Sequence, residues 1–146
     1  MTVIAYRDGV MAADTMITDN GRVVGSIQKI ARSPCGAIGA ASGRGGAGQR
    51  FAAWMQAGMP GEFDPKCTED GFFGALIMDA AGMRAMDRTG TILPFTAPFA
   101  AEGRGREVAI GAMEMGATTE QAVAAAIKWE EGCGGEIQIE RLGEAV

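Results

Sequence analysis

The chain has 146 residues, 47% of them hydrophobic and 21% charged, with a formal net charge of −5. That is enough chain for one domain with a real core, too little for two, and too apolar for a disordered segment. An acidic balance, with basic residues scattered singly, also speaks against a nucleic-acid partner.

Cys35, Cys67 and Cys133 are odd in number, widely spaced and free of any C-x-x-C, so neither a disulfide framework nor a zinc site is expected. No metal and no cofactor are implied. The first 25 residues hold no basic segment leading into an apolar one, and no apolar run reaches the length of about 18 residues that a membrane span needs. The expectation is a soluble, cytoplasmic protein with no membrane partner. There is no histidine, which removes Ser-His-Asp, Cys-His and HExxH chemistry. A hydrolase built from this chain needs a carboxylate, a lysine or an α-amine as its base.

In chain order, Thr2–Tyr6 reads as a strand, Asp8-Gly9 as a hairpin turn and Val10–Ala13 as the returning strand, ending at Asp14. Asn20-Gly21 is a second tight turn, leading into Arg22–Val24. Ile27–Ala31 has strand-like alternation with Lys29 between isoleucines, and Ala37–Ala41 is a strand of small residues. The first 42 residues therefore read as an antiparallel meander. After a glycine-rich bend at 43–48, Gln49–Ala57 places Phe51, Trp54 and Met55 on one helical face and stops at Gly58. Residues 59–71 read as a polar loop. Phe72–Met78 and Met83–Asp87 form a further hairpin, and Pro98–Ala101 a short strand. Two helical patterns follow, Arg104–Met115 and Thr119–Glu131, the second without a clean capping box at Thr118. Met78, Met86, Met113 and Met115 read as packing residues, as do Ile127 and Trp129. Ile137–Ile139 is the last strand. Strands and helices grouped in this way indicate α+β rather than alternating βαβ.

Thr2 would become the first residue if Met1 were removed, as it is where the second residue is small. Thr2 would then carry a hydroxyl and a free α-amine, an arrangement in which the amine acts as base. An unperturbed α-amine has a pKa of about 7.7–8.0, so it titrates near neutrality. Taken alone, a second-position threonine is ordinary background. Lys29 in an apolar stretch needs a partner if it points inward, and Asp14 is the candidate; facing outward it would be an edge-strand charge.

Thr2-Val3-Ile4-Ala5, then Asp8–Asp14 (DGVMAAD), Lys29-Ile30 and Gly39-Ala40-Ala41-Ser42-Gly43 together resemble the opening of proteasome β subunits and the HslV peptidase. Those are N-terminal nucleophile (Ntn) hydrolases. The resemblance implies a single domain over 1–146 with a four-layer α-β-β-α sandwich of two antiparallel sheets, and a threonine peptidase. Carried over residue by residue, Thr2 is the nucleophile, Asp14 orients Lys29, Lys29 supplies positive charge, and the backbone at Gly43 helps bind the oxyanion. Residues near the nucleophile, here Ile17, Ile27, Ala31 and Ala41, would line an apolar substrate pocket, with Ser42 close by. Where the family often has a serine beside the nucleophile, this chain has Glu102, whose negative charge would either raise the pKa of the α-amine and slow the chemistry or be paired by Arg104 or Arg106. The family's long second helix has no counterpart in 59–71. The shortened plan is similar to compact proteasome-like proteins of phages and prophages.

The implied partners are a peptide or protein substrate and further copies of the chain, with a ring as the family's form. Without the second helix, the Phe51, Trp54 and Met55 face would be left uncovered and favour association. No residue pattern marks an ATPase unfoldase partner. Two other readings stand beside the peptidase. One is a catalytically inactive structural or assembly protein of the same fold. The other is a nucleotide-binding module, because Gly43–Gly48 spells G-x-G-x-x-G between a strand and a helix.

Overall fold

The computed structural model describes residues 2–44 and 46–143. Within them the order is β1 (Val3–Arg7), β2 (Val10–Ala13), β3 (Met16–Asp19), β4 (Arg22–Ser26), β5 (Ala31–Arg32), β6 (Ile38–Gly43), α1 (Ala47–Gln56), β7 (Phe73–Asp79), β8 (Gly82–Met86), β9 (Ile92–Phe95), β10 (Phe99–Gly103), α2 (Arg106–Glu114), α3 (Thr119–Trp129) and β11 (Gln138–Arg141). It is a mixed α/β chain of antiparallel sheets and three helices. A four-stranded sheet runs β10-β1-β2-β11, a five-stranded sheet β5-β6-β7-β8-β9, and β3-β4 stands apart as a two-stranded ribbon.

Local chemistry accounts for the hairpins. Asp8 and Gly9 have φ of 51° and 74°, and Asn20 and Gly21 have 50° and 77°. Two consecutive residues at positive φ make a turn whose twist matches its strands, and Asp-Gly and Asn-Gly are the pairs that tolerate it. Arg7 therefore faces Val10, and Asp19 faces Arg22.

Alternation along β1 divides its side chains between two apolar clusters. Val3 and Ala5 pack with Ala109, Met113, Ala122, Val123 and Ala126 of α2 and α3. Ile4 points the other way and packs with Met11, Ile38, Ala40, Leu76 and Met78 from the two larger sheets. The opposite face of β7, through Phe73, Ala75 and Ile77, packs against Phe51 and Met55 of α1.

Several expectations are corrected. Ile27–Ile30 lies outside any strand, and only Ala31–Arg32 of the expected strand pairs. Met16–Asp19 and Ile92–Phe95, which the sequence pattern passed over, are strands. The α1 face is not open. Phe51 and Met55 are fully buried, and Phe63 reaches in from the 57–72 segment to stack on Phe73, with ring centroids 5.7 Å apart. The proposed reason for association through that face is therefore removed. Trp129 and Met115 are exposed rather than packed.

The helix start at Thr118 is better built than its sequence indicated. Thr118 Oγ1 accepts from the Gln121 N–H at 3.1 Å, and the Thr118 N–H donates to Gln121 Oε1 at 2.9 Å. The two bonds are a complete capping box, with glutamine in the place where glutamate is more familiar. Thr118→Ala should cost about 1 kcal/mol, which in a domain of this size lowers Tm by about 2–4 °C. A thermal melt followed by circular dichroism measures it, and an unchanged Tm would show that the cap contributes nothing.

Candidate active site

Asp14 organises the region around Thr2. It follows β2 directly, so the β1–β2 register brings its carboxylate beside the start of β1. It is fully buried, and its oxygens receive three donors. The Val3 N–H donates to Oδ1 at 3.0 Å, the Gly134 N–H to Oδ2 at 3.1 Å, and Lys29 Nζ to Oδ1 at 2.9 Å. A carboxylate held away from water needs this degree of satisfaction, since its desolvation otherwise costs several kcal/mol, on the order of 5.

Lys29 Nζ also donates to Thr2 Oγ1 at 3.2 Å. One cation therefore touches both the buried carboxylate and the threonine hydroxyl, and its side chain is only 9% exposed. Thr2 itself is 8% exposed. Its carbonyl accepts from the Gly105 N–H at 3.2 Å, which anchors the main chain independently of the hydroxyl. Gly103 makes this approach possible. Its φ is +95°, and a Cβ there would run into the Thr2 carbonyl group.

Thr2, Lys29 and Gly43 open onto one cavity of about 1030 Å³. The β3–β4 ribbon forms one wall through Ile17, Thr18 and Asn20, and α1 another through Gln49, Ala52 and Gln56. Of the four residues expected to make an apolar pocket, Ile17, Ile27 and Ala41 line this cavity. Ala31 does not; it is buried in the cluster beneath α1. Met16, Ala52 and Ala53 add to the apolar part of the wall, while Gln28, Arg44, Asn20, Gln49 and Gln56 make the rest polar, so the cavity is mixed rather than apolar as expected.

Ser42 is buried on β6 opposite Gly74 of β7. Glu102 pairs with Ile4 across β1–β10, so it shares Ile4's face between the sheets. Its carboxylate lies where a Cβ on Gly74 would be, and accepts from the Gly103 N–H at 3.3 Å. The expected arginine pairings are not made: Arg104 pairs with Glu130, and Arg106 donates to the Gly103 carbonyl.

Cys133 is another nucleophilic group in this region. Burial and the Asp14 charge push its thiol up to about 11, so it stays protonated near neutrality and is not a thiolate nucleophile. Among the described residues, no three His, Cys, Asp or Glu side chains converge as metal ligands would. No described helix is long and apolar enough to cross a membrane.

Sequence reasoning missed Gly134, Gly103 and Gln138. The Gly134-Gly135 pair, where Gly135 has φ of 79°, was the visible sign that a backbone approaches closely there. The nucleotide-binding reading fails on topology. β6 and β7, on either side of α1, are antiparallel neighbours, whereas a dinucleotide fold needs parallel strands. Gly45 and Met1 lie outside the described residues, so the middle of the glycine run and the state of the first residue have no structural account.

No family model and no curated protein sequence matches this chain. Its fold nevertheless matches solved structures along the whole length. One is Thiobacillus denitrificans BPH in complex with epoxomicin, at a TM-score of 0.69 and 16% identity, covering 98% of this chain and 99% of that one. Another is Thiobacillus denitrificans BPH, at 0.71 and 20% identity, covering 99% of each. At these identities what is shared is the fold.

Proposed function

We propose that the chain is a proteasome-like threonine peptidase: a single Ntn-hydrolase domain, arranged as a four-layer sandwich, with Thr2 as nucleophile once Met1 is removed. The observation that carries this reading is Lys29 Nζ held between Thr2 Oγ1 and a buried Asp14, in a chain without histidine. The three apolar clusters, lying between helices and sheet, sheet and sheet, and sheet and helix, support the layering. Similarity to a fold solved with epoxomicin, a proteasome inhibitor, supports the reaction class.

In the first step Thr2 Oγ1 attacks an amide carbonyl while its proton passes to the Thr2 α-amine. Negative charge develops first on Oγ1 and then on the carbonyl oxygen. Lys29 stabilises the former, and backbone N–H groups near Gly43 receive the latter. The C–N bond then breaks as the ammonium returns its proton to the leaving amine, which leaves an ester on Thr2. Water, activated by the same amine, cleaves that ester and restores the hydroxyl. The positive charge of Lys29 also favours the neutral, basic form of the amine.

Epoxomicin provides the test. The chain is produced with Thr2 as its first residue, as intact mass verifies, and incubated with the inhibitor. A covalent mass increase that peptide mapping places on Thr2 is the expected result. A second reading, a non-peptidase assembly protein of the same fold, draws on Glu102, whose carboxylate lies between the sheets near Ser42. No adduct and no hydrolysis with Thr2 free would favour that second reading.

A further inference from the structure

Lys29 is held by its main chain as well as its side chain, and the holder is Gln138. The segment 27–30 belongs to no strand: the Ile27 N–H donates to the Thr15 carbonyl at 2.8 Å, and the peptide groups after it need partners of another kind. Gln138 takes the ladder's place. Its Oε1 accepts from the Lys29 N–H and the Ile30 N–H, each at 2.9 Å, and its Nε2 donates to the Ile30 carbonyl at 3.0 Å. A carboxamide presents one acceptor and one donor in a plane, as a peptide group does, so it can stand in for a neighbouring strand.

Gln138 is well placed for this task. It sits in β11 opposite Ala13, the residue before Asp14. Its neighbours Ile137 and Ile139 pack toward the helices, so alternation turns Gln138 to the other face. Two positions on, Glu140 pairs with Arg32 at 3.3 Å and continues the same side-chain rail along the 29–32 segment. The turn before β11 supplies the Gly134 N–H that holds Asp14. One element therefore reaches both partners of the Asp14–Lys29 pair.

We propose that Gln138 is a positioning residue, acting through Lys29, that sets the distance between the Lys29 ammonium and Thr2. The proposal rests on the peptidase reading for its kinetic consequence, but its geometric content can be tested without turnover.

The chain contains three lysines, and Lys66 and Lys128 are exposed, so lysine-selective labelling gives Lys29 its own ε-methylene signal by NMR. Gln138→Met keeps the length of the side chain and removes all three bonds. Amide exchange at Lys29 and Ile30 should then be at least about tenfold faster, while the β1 amides keep wild-type protection. The Lys29 ε-methylene signal should move toward those of the exposed lysines. Where the wild type hydrolyses a reporter peptide, kcat should fall at least about tenfold with KM within about twofold. The acidic limb of kcat/KM should move to higher pH, because withdrawing a cation raises the pKa of the α-amine. Gln138→Glu keeps an acceptor for the two N–H groups and loses the donor to Ile30, so its exchange rates should be intermediate.

An unmoved Lys29 signal in Gln138→Met, or exchange that accelerates equally in β1, would overturn the positioning role. If Gln138→Met does not fold, Gln138→Glu decides by the same two signals. A wild type with Thr2 free that hydrolyses nothing defeats the peptidase reading alone, since the exchange and lysine signals still decide what Gln138 does.

Discussion

Thr2→Ala should abolish hydrolysis, lowering kcat by on the order of a thousandfold or more, because no other group near the cation can replace the hydroxyl. Cys133 remains a protonated, buried thiol, and Ser42 lies buried on β6. The fold should survive the change. Thr2 Oγ1 takes one hydrogen bond from Lys29, which keeps Asp14 as its partner, while the Thr2 carbonyl and the Val3 N–H hold the main chain. Loss of that one bond costs about 1 kcal/mol. Reporter-peptide turnover and a thermal melt on the same preparation separate the two effects. Wild-type turnover in Thr2→Ala would remove Thr2 from the chemistry. Thr2→Ser, which keeps hydroxyl and amine, should retain measurable activity.

Lys29→Ala should combine a catalytic and a structural loss. Two unit charges about 4 Å apart at an effective dielectric of 20 interact by about 4 kcal/mol, which corresponds to about a thousandfold in rate. That sets the expected fall in kcat/KM. The same substitution leaves Asp14 buried with only the Val3 and Gly134 N–H groups as partners, and breaking such a pair typically costs about 3–5 kcal/mol. Asp14→Asn acts on the reacting atoms only through Lys29, which by itself would make it the milder change. The structure argues for an equally severe effect. A carboxamide that keeps its oxygen in the Oδ1 place for Val3 N–H and Lys29 Nζ turns its NH2 against the Gly134 N–H, donor against donor, and removes the negative charge that holds Lys29. Both variants should therefore melt well below wild type. Activity measured below each Tm isolates the catalytic part. If Lys29→Ala turns over at the wild-type rate there, Lys29 is a structural cation only.

The first hairpin was legible because its information is local. Asp8-Gly9 sets the turn, the turn sets the register, and the register places Asp14 beside the start of β1. The Thr2–Asp14–Lys29 grouping came from a resemblance, and its physical basis lies in bonds the sequence pattern does not display. Lys29 was read as a strand residue because isoleucines flank it. In the structure it lies outside any strand, and its N–H donates to a side chain, Gln138. The resemblance puts Ala31 in the pocket, whereas in the structure it is a core residue. The α1 face looked uncovered because its cover, Phe63, comes from a segment with no periodic pattern of its own.

The sequence by itself determined the antiparallel character of the strands, the positions of the tight turns and the exclusion of imidazole chemistry. Each follows from residue identity or from neighbours a few positions apart. Only the tertiary structure decided what holds the candidate nucleophile in place. Gly134 reaches Asp14 across 120 positions, and Gln138 reaches Lys29 across 109. Hydrogen bonds of that range leave no periodicity in the chain, because a single glycine N–H or a single carboxamide is enough to make them once the sheets have brought the segments together.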